Sequence, residues 1–196
     1  MDILKRIPLL IVGLVIVALT CSTLPLNLSS GITNTSAPPP TPVPTTEPPV
    51  ATGDCNNVGL DYSANPFRGW PTAVPNWGVV TAYYCSLAYY AMFGVNHYGI
   101  DLGYPTGTSV YATASGAVAN AGWHPLMGLH VIVCTPTNWC AVYMHLSELS
   151  VAQWDGVAPG TELGKIGSTG NSTGPHLHYE IRHPDGTRID PSVAMR

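Results

Sequence analysis

The chain has 196 residues, of which 9% are charged, with 7 Lys+Arg against 11 Asp+Glu and a formal net charge of -4. That balance disfavours nucleic acid as a partner, because neutralising phosphates takes clustered positive charge and no basic cluster lies beyond the N-terminal region. Tyrosine numbers 10 on this weakly charged chain, which favours polar aromatic surface of the kind that packs on sugars or peptides.

Residues 1–26 open with Lys5 and Arg6 and continue as I-P-L-L-I-V-G-L-V-I-V-A-L. Charge followed by an apolar run reads as an export signal or a retained membrane anchor, and the odd cysteine, Cys21, offers a third route as a lipid-modified residue. Anchoring is favoured over release, which places the rest of the chain in the envelope or outside the cell. Residues 27–53 are polar and then proline-dense, with A-P-P-P-T-P-V-P-T-T-E-P-P-V at 37–50. Proline fixes φ and removes backbone donors, so this stretch is expected to be an extended spacer.

Residues 54–196 are enough for one domain with its own core. Short runs rich in Val, Ile, Tyr and Thr, separated by Gly, Pro, Asn and Asp, predict a mainly antiparallel β fold, a sheet or sandwich with a groove. Strands are expected in 77–84, 109–114, 116–122, 129–134, 140–145 and 177–182, with a short helix over 150–153. Cys134 and Cys140 bracket T-P-T-N-W between two apolar runs and should face each other across a hairpin as a disulfide. Cys55 and Cys85 remain as the second pair, in keeping with an oxidising compartment.

The chemistry is concentrated in His97, Asp101, His145, His176 and His178. Imidazole nitrogens and a carboxylate suit zinc, whose catalytic sites take three protein ligands and leave a position for water, so this set offers three ligands and two further bases. Strand alternation puts His176, His178 and Glu180 on one face of 177–182, with Leu177, Tyr179 and Ile181 on the other. Fully extended, His97 and Asp101 would lie roughly 13 Å apart, too far to share an ion, so the chain must turn between them at Gly99. His124, His130 and His183 read as surface or hydrogen-bonded core residues. Glu180 reads as a salt-bridge partner ahead of a ligand or a brace for one.

The run I-G-S-T-G-N-S-T-G-P-H-L-H-Y-E-I-R at 166–182, with H-Y-G-I-D-L at 97–102 and Y-M-H-L-S at 143–147, closely resembles the lysostaphin-type zinc endopeptidases, also called LytM-type peptidases. The likeness extends through T-G-T-S-V-Y-A-T-A-S-G-A-V-A at 106–119. It implies the duplicated hybrid motif fold and one zinc ion held by His97, Asp101 and His178, with His145 and His176 assisting catalysis. It also implies hydrolysis of peptide bonds in peptidoglycan, in the stem peptides or their cross-bridges. Two segments depart from the family, P-L-M-G-L-H at 125–130 and C-S-L-A-Y-Y-A-M-F-G at 85–94, and both bear on the groove and leave the zinc residues alone. The alternatives are a non-catalytic wall-binding or hydrolase-activating domain of the same fold, and an assembly module with a closed structural zinc.

Overall fold

A computed structural model describes Cys55 and residues 62–196; the expected signal or anchor at 1–26 and the spacer at 27–53 lie outside the described residues. In chain order the elements are β1 (Val80–Ala82), α1 (Leu87–Phe93), β2 (Ile100–Leu102), β3 (Ser109–Tyr111), β4 (Gly116–His124), β5 (Gly128–Cys134), β6 (Cys140–Leu149), β7 (Gly156–Val157), β8 (Glu162–Ile166), β9 (Leu177–Arg182) and β10 (Arg188–Ile189). All strand pairings are antiparallel and join one network, in the order β1-β2-β9-β6-β5-β4-β7, with β8 bridging β6 and β3 and β10 on β9. The mainly β expectation therefore holds.

Alternation explains the core. Ala141, Tyr143, Tyr179 and Ile181 are fully buried on one face of the β6–β9 pair, where Tyr143 lies opposite Tyr179. Burying a side chain as large as that of Ile181 contributes about 1.5–3 kcal/mol. Their two phenols do not go unpaired: the Thr113 hydroxyl lies 2.8 Å from the Tyr179 oxygen and 3.1 Å from that of Tyr143. Cys134 stands opposite Cys140 in register, and disulfides join Cys134 to Cys140 and Cys55 to Cys85, both as expected.

Two local expectations fail. Residues 150–153 form no helix: the Ser150 N–H bonds to the Leu163 carbonyl, the Ala152 N–H to the Asp155 carboxylate and, just beyond, the Trp154 N–H to the Val118 carbonyl, with Trp154 at φ +78°. The helix lies instead in the unusual segment 85–94. Ser86 caps its start by accepting from the Tyr89 N–H, and Gly94 ends it at φ +70°. The run expected as a strand at 77–84 starts as a 3-10 turn over Trp77–Val79 and pairs only from Val80.

Backbone packing at two glycines holds the 167–175 loop to the β4–β5 hairpin. Gly128 (φ +65°) and Gly170 (φ +73°) lie so close that a Cβ on Gly128 would collide with the Thr169 backbone and one on Gly170 with the Gly128 backbone. Gly160, also left-handed at φ +87°, has nothing near it. Gly160→Ala should therefore lose only about 1–2 kcal/mol, the cost of an L side chain in that backbone region. Gly128→Ala adds a clash that only movement of Thr169 relieves, and its larger fall in thermal unfolding midpoint is the expected measurement.

Candidate active site

The β2–β9 pairing sets Asp101 opposite His178. It can do so beside His97 because Gly99 has no side chain: a Cβ there would lie 2.6 Å from the Tyr179 carbonyl oxygen and 2.7 Å from His178 Nε2. The chain bends at Gly99 as expected, but the residue is needed for this close approach and has no left-handed φ.

The outer partners of the two histidines decide what their inner nitrogens carry. His97 Nδ1 donates to the Tyr83 carbonyl at 2.9 Å, which leaves a lone pair on Nε2. His178 Nε2 donates to Glu180 Oε1 at 3.3 Å, which leaves a lone pair on Nδ1. These two nitrogens are 3.0 Å apart, and Asp101 Oδ1 lies 3.0 Å from the first and 2.8 Å from the second. Three acceptors thus converge, and only a cation or a proton reconciles them. A tetrahedral ion with bonds of about 2.0–2.1 Å separates its ligands by roughly 3.3 Å, a few tenths more than the spacing found, so the donor set fits a small divalent metal.

The same convergence shapes the titration of these groups. Burial opposes charge on His178, but hydrogen bonds to Asp101 and Glu180 outweigh it and push the pKa up to about 9. Burial would raise Asp101, yet its bonds to His178 and His97 hold it well below the usual carboxylate range. Glu180 is itself buried and falls to about 2, burial being outweighed by His178 and Arg182. Its second oxygen accepts from Arg182 at 2.7 Å, so Glu180 makes the expected salt bridge and also braces His178. That bracing matches the carboxylate–histidine arrangement that orients metal ligands.

His145 reaches the site through a β-bulge. From Tyr143 in the core, alternation would send Met144 to the site face and return His145 to the core. His145 instead adopts φ +62°, β5 advances two residues while β6 advances three, and Leu146 takes the core position. Its Nδ1 donates to the Thr169 carbonyl at 2.8 Å, so Nε2 is the proton acceptor. His176, joined to Gly167 by a β-bridge, donates from Nδ1 to the Gly174 carbonyl at 2.8 Å and brings Nε2 to 3.8 Å from Asp101 Oδ1. The His145 and His176 rings are 4.7 Å apart in one groove with His178. Burial, then the nearby His176 and His178, lower His145 to about 4, so it is neutral at neutral pH and able to take a proton.

Three contributors carried little or no sequence signal. The carbonyls of Tyr83 and Thr169 are backbone groups, which no residue type marks. Tyr89 of α1 stacks on His97 with ring centroids 4.4 Å apart. His124, His130 and His183 stay away from the groove lining, His183 pairing with Asp185 at 2.9 Å.

Residues 95–191 match the model of peptidase family M23. The catalytic domain of the prophage-encoded M23 protein EnpA from Enterococcus faecalis is 35% identical, over 58% of this chain and 88% of that one, with a TM-score of 0.51. The chain belongs to peptidase family M23. A second solved M23 relative, a peptidase from Pseudomonas aeruginosa, superposes with a TM-score of 0.56 at 29% identity, over 67% of this chain and 51% of the other. Among curated proteins, peptidoglycan DD-endopeptidase ShyA of Vibrio cholerae is 39% identical over 43% of this chain, and glycyl-glycine endopeptidase ALE-1 of Staphylococcus capitis 40% identical over 44%. The chain spans 20% and 25% of the length of these two relatives.

The lowered pKa of His145 fixes a sign for stability in metal-free protein. Between its folded value of about 4 and the ordinary histidine value of 6.5, the unfolded chain binds the proton and the folded chain does not, so stability falls as pH drops through that window. His178 acts in a separate window, its stabilisation full below 6.5 and lost as pH rises through about 9. His145→Gln should flatten the acid side of the profile, as read by thermal denaturation in chelator from neutral pH down to about 4; an unchanged slope there would refute the buried neutral imidazole.

Proposed function

We propose that this M23 chain is a zinc endopeptidase that hydrolyses peptide bonds in peptidoglycan, with His97, Asp101 and His178 as ligands and His145 and His176 as the catalytic pair. The observation that carries the reading is the placement of three converging acceptors beside two imidazoles in one groove. The activities for which the relatives are named, against peptidoglycan or glycyl-glycine bonds, supply the substrate class. The chemistry zinc supplies in such a site is Lewis acidity, which lowers the pKa of a water and polarises a carbonyl.

Within that site the histidines move protons. Neutral His145 accepts the proton of the attacking water at Nε2, while its Nδ1 stays fixed on Thr169. The imidazolium so formed returns that proton to the departing amine, and His176, 4.7 Å away across the groove with Nδ1 on the Gly174 carbonyl, donates from Nε2 towards the developing oxyanion only in its cationic form, with both ring nitrogens protonated. Two disulfides fit an oxidising compartment, and with residues 1–26 as signal or anchor and 27–53 as spacer the domain would act in the cell envelope.

Asp101→Ala should lose zinc, since three protein ligands are what such a site requires. Alanine at His145 or His176 should leave zinc bound and lower turnover by a factor on the order of 100. Metal analysis of the variants, with mass analysis of fragments released from purified peptidoglycan with and without chelator, checks both. Stoichiometric zinc with no released peptide in the native protein would point to the non-catalytic wall-binding alternative.

A further inference from the structure

The groove has two unlike walls. One is the 171–174 loop, whose Asn171, Ser172 and Thr173 are polar and uncharged. The other is α1, which reads L-A-Y-Y-A-M-F, has no buried residue, and presents Met92 and Phe93 to the groove, with Val95 just beyond the Gly94 cap. Met92 is 74% and Val95 57% exposed. The core does not hold this helix. Its ends do, through the Ser86 and Gly94 caps and the Cys55–Cys85 disulfide at its entry, together with Tyr89 stacked on His97. An apolar surface kept in water at the mouth of a site, on rigid supports, is a surface for a ligand.

The charge of the lining narrows the ligand. Apart from the histidines, the only ionisable acid or base with fixed charge among the lining residues is Asp101, and its Oδ1 is committed to His97 and His178. A charged side chain laid against Met92, Phe93 and Val95 would therefore lose water and find no counter-ion on that wall. Glycine would leave the apolar wall uncovered. We infer that Met92, Phe93 and Val95 form an apolar subsite that takes an uncharged, methyl-bearing side chain of the bound peptide, alanine or larger, in preference to glycine or a charged residue. The inference rests on the peptidase reading of this groove and selects alanine-containing linkages over oligoglycine bridges.

The test is binding, measured by calorimetry on the full chain carrying His145→Ala so that turnover does not consume the ligand. The probes are short peptides in which each position in turn is Gly, Ala, Leu or Glu. At one position affinity should rise about fourfold from Gly to Ala, the value of one buried methyl, and further to Leu. Glu there should bind at least about tenfold more weakly than Leu, as an uncompensated buried charge requires. Met92→Lys, and independently Val95→Lys, should reverse the order of Leu and Glu at that same position; both side chains are largely in water, so the fold tolerates the change. Glycine binding as well as alanine at every position, or a ranking that neither lysine alters, would overturn the subsite. Hydrolysis of the peptides by the native chain without that ranking would leave the peptidase reading intact and remove only the subsite. The expected ranking without hydrolysis would do the reverse.

Discussion

Two imidazole lone pairs and a carboxylate oxygen held 2.8–3.0 Å apart repel one another unless positive charge lies among them. The fold supplies the forces that keep them there. β2 and β9 pair across the sheet to bring Asp101 to His178, Tyr83 turns His97, and Glu180, anchored by Arg182, turns His178. Each inner nitrogen is thereby left as an acceptor. The arrangement is preorganised for positive charge, a proton on His178 in the metal-free protein or a cation in its place, because the backbone pairing already holds the three groups together.

The second constraint is the placement of His145. A regular strand cannot present Tyr143 to the core, Met144 to the site and His145 to the site as well. The bulge resolves this at the expense of a left-handed residue, and such strain persists only where the surroundings enforce it. They do so through backbone contacts: His145 N–H bonds to the Met127 carbonyl, and Thr169 accepts from the imidazole and donates its hydroxyl to the Leu146 carbonyl. Gly128 and Gly170 allow these segments to touch. The His97, Asp101 and His178 cluster rests on sheet register, and the His145 and His176 imidazoles rest on this knot of loops.

Where a feature depended on periodicity, it could be read directly. His176, His178 and Glu180 alternate with Leu177, Tyr179 and Ile181, so their common face followed from the strand alone, as did the facing of Cys134 and Cys140 across a hairpin. The bulge at His145 could not be read, because A-V-Y-M-H-L looks the same with or without an inverted φ. Nor could α1, whose seven residues show no polar face and whose helix is specified by Ser86, Gly94 and a disulfide to a distant cysteine. At 150–153 local preference pointed to a helix, and hydrogen bonds to Leu163 and Val118 overrode it.

The register between Asp101 and His178 also has a kinetic meaning. Their partnership spans 77 positions of chain, so the site cannot assemble from neighbouring residues and must wait for a long loop to close. β9, which carries His178, leaves the ribosome only after β2 to β8. An unfolded chain therefore has the three residues but no site, and a cation that bound only the closed register would add its binding free energy to folding at that step. Assembly of the His97, Asp101 and His178 cluster is in this way tied to closure of the β2–β9 register, and a chain in which that register is open does not yet bring the three groups together.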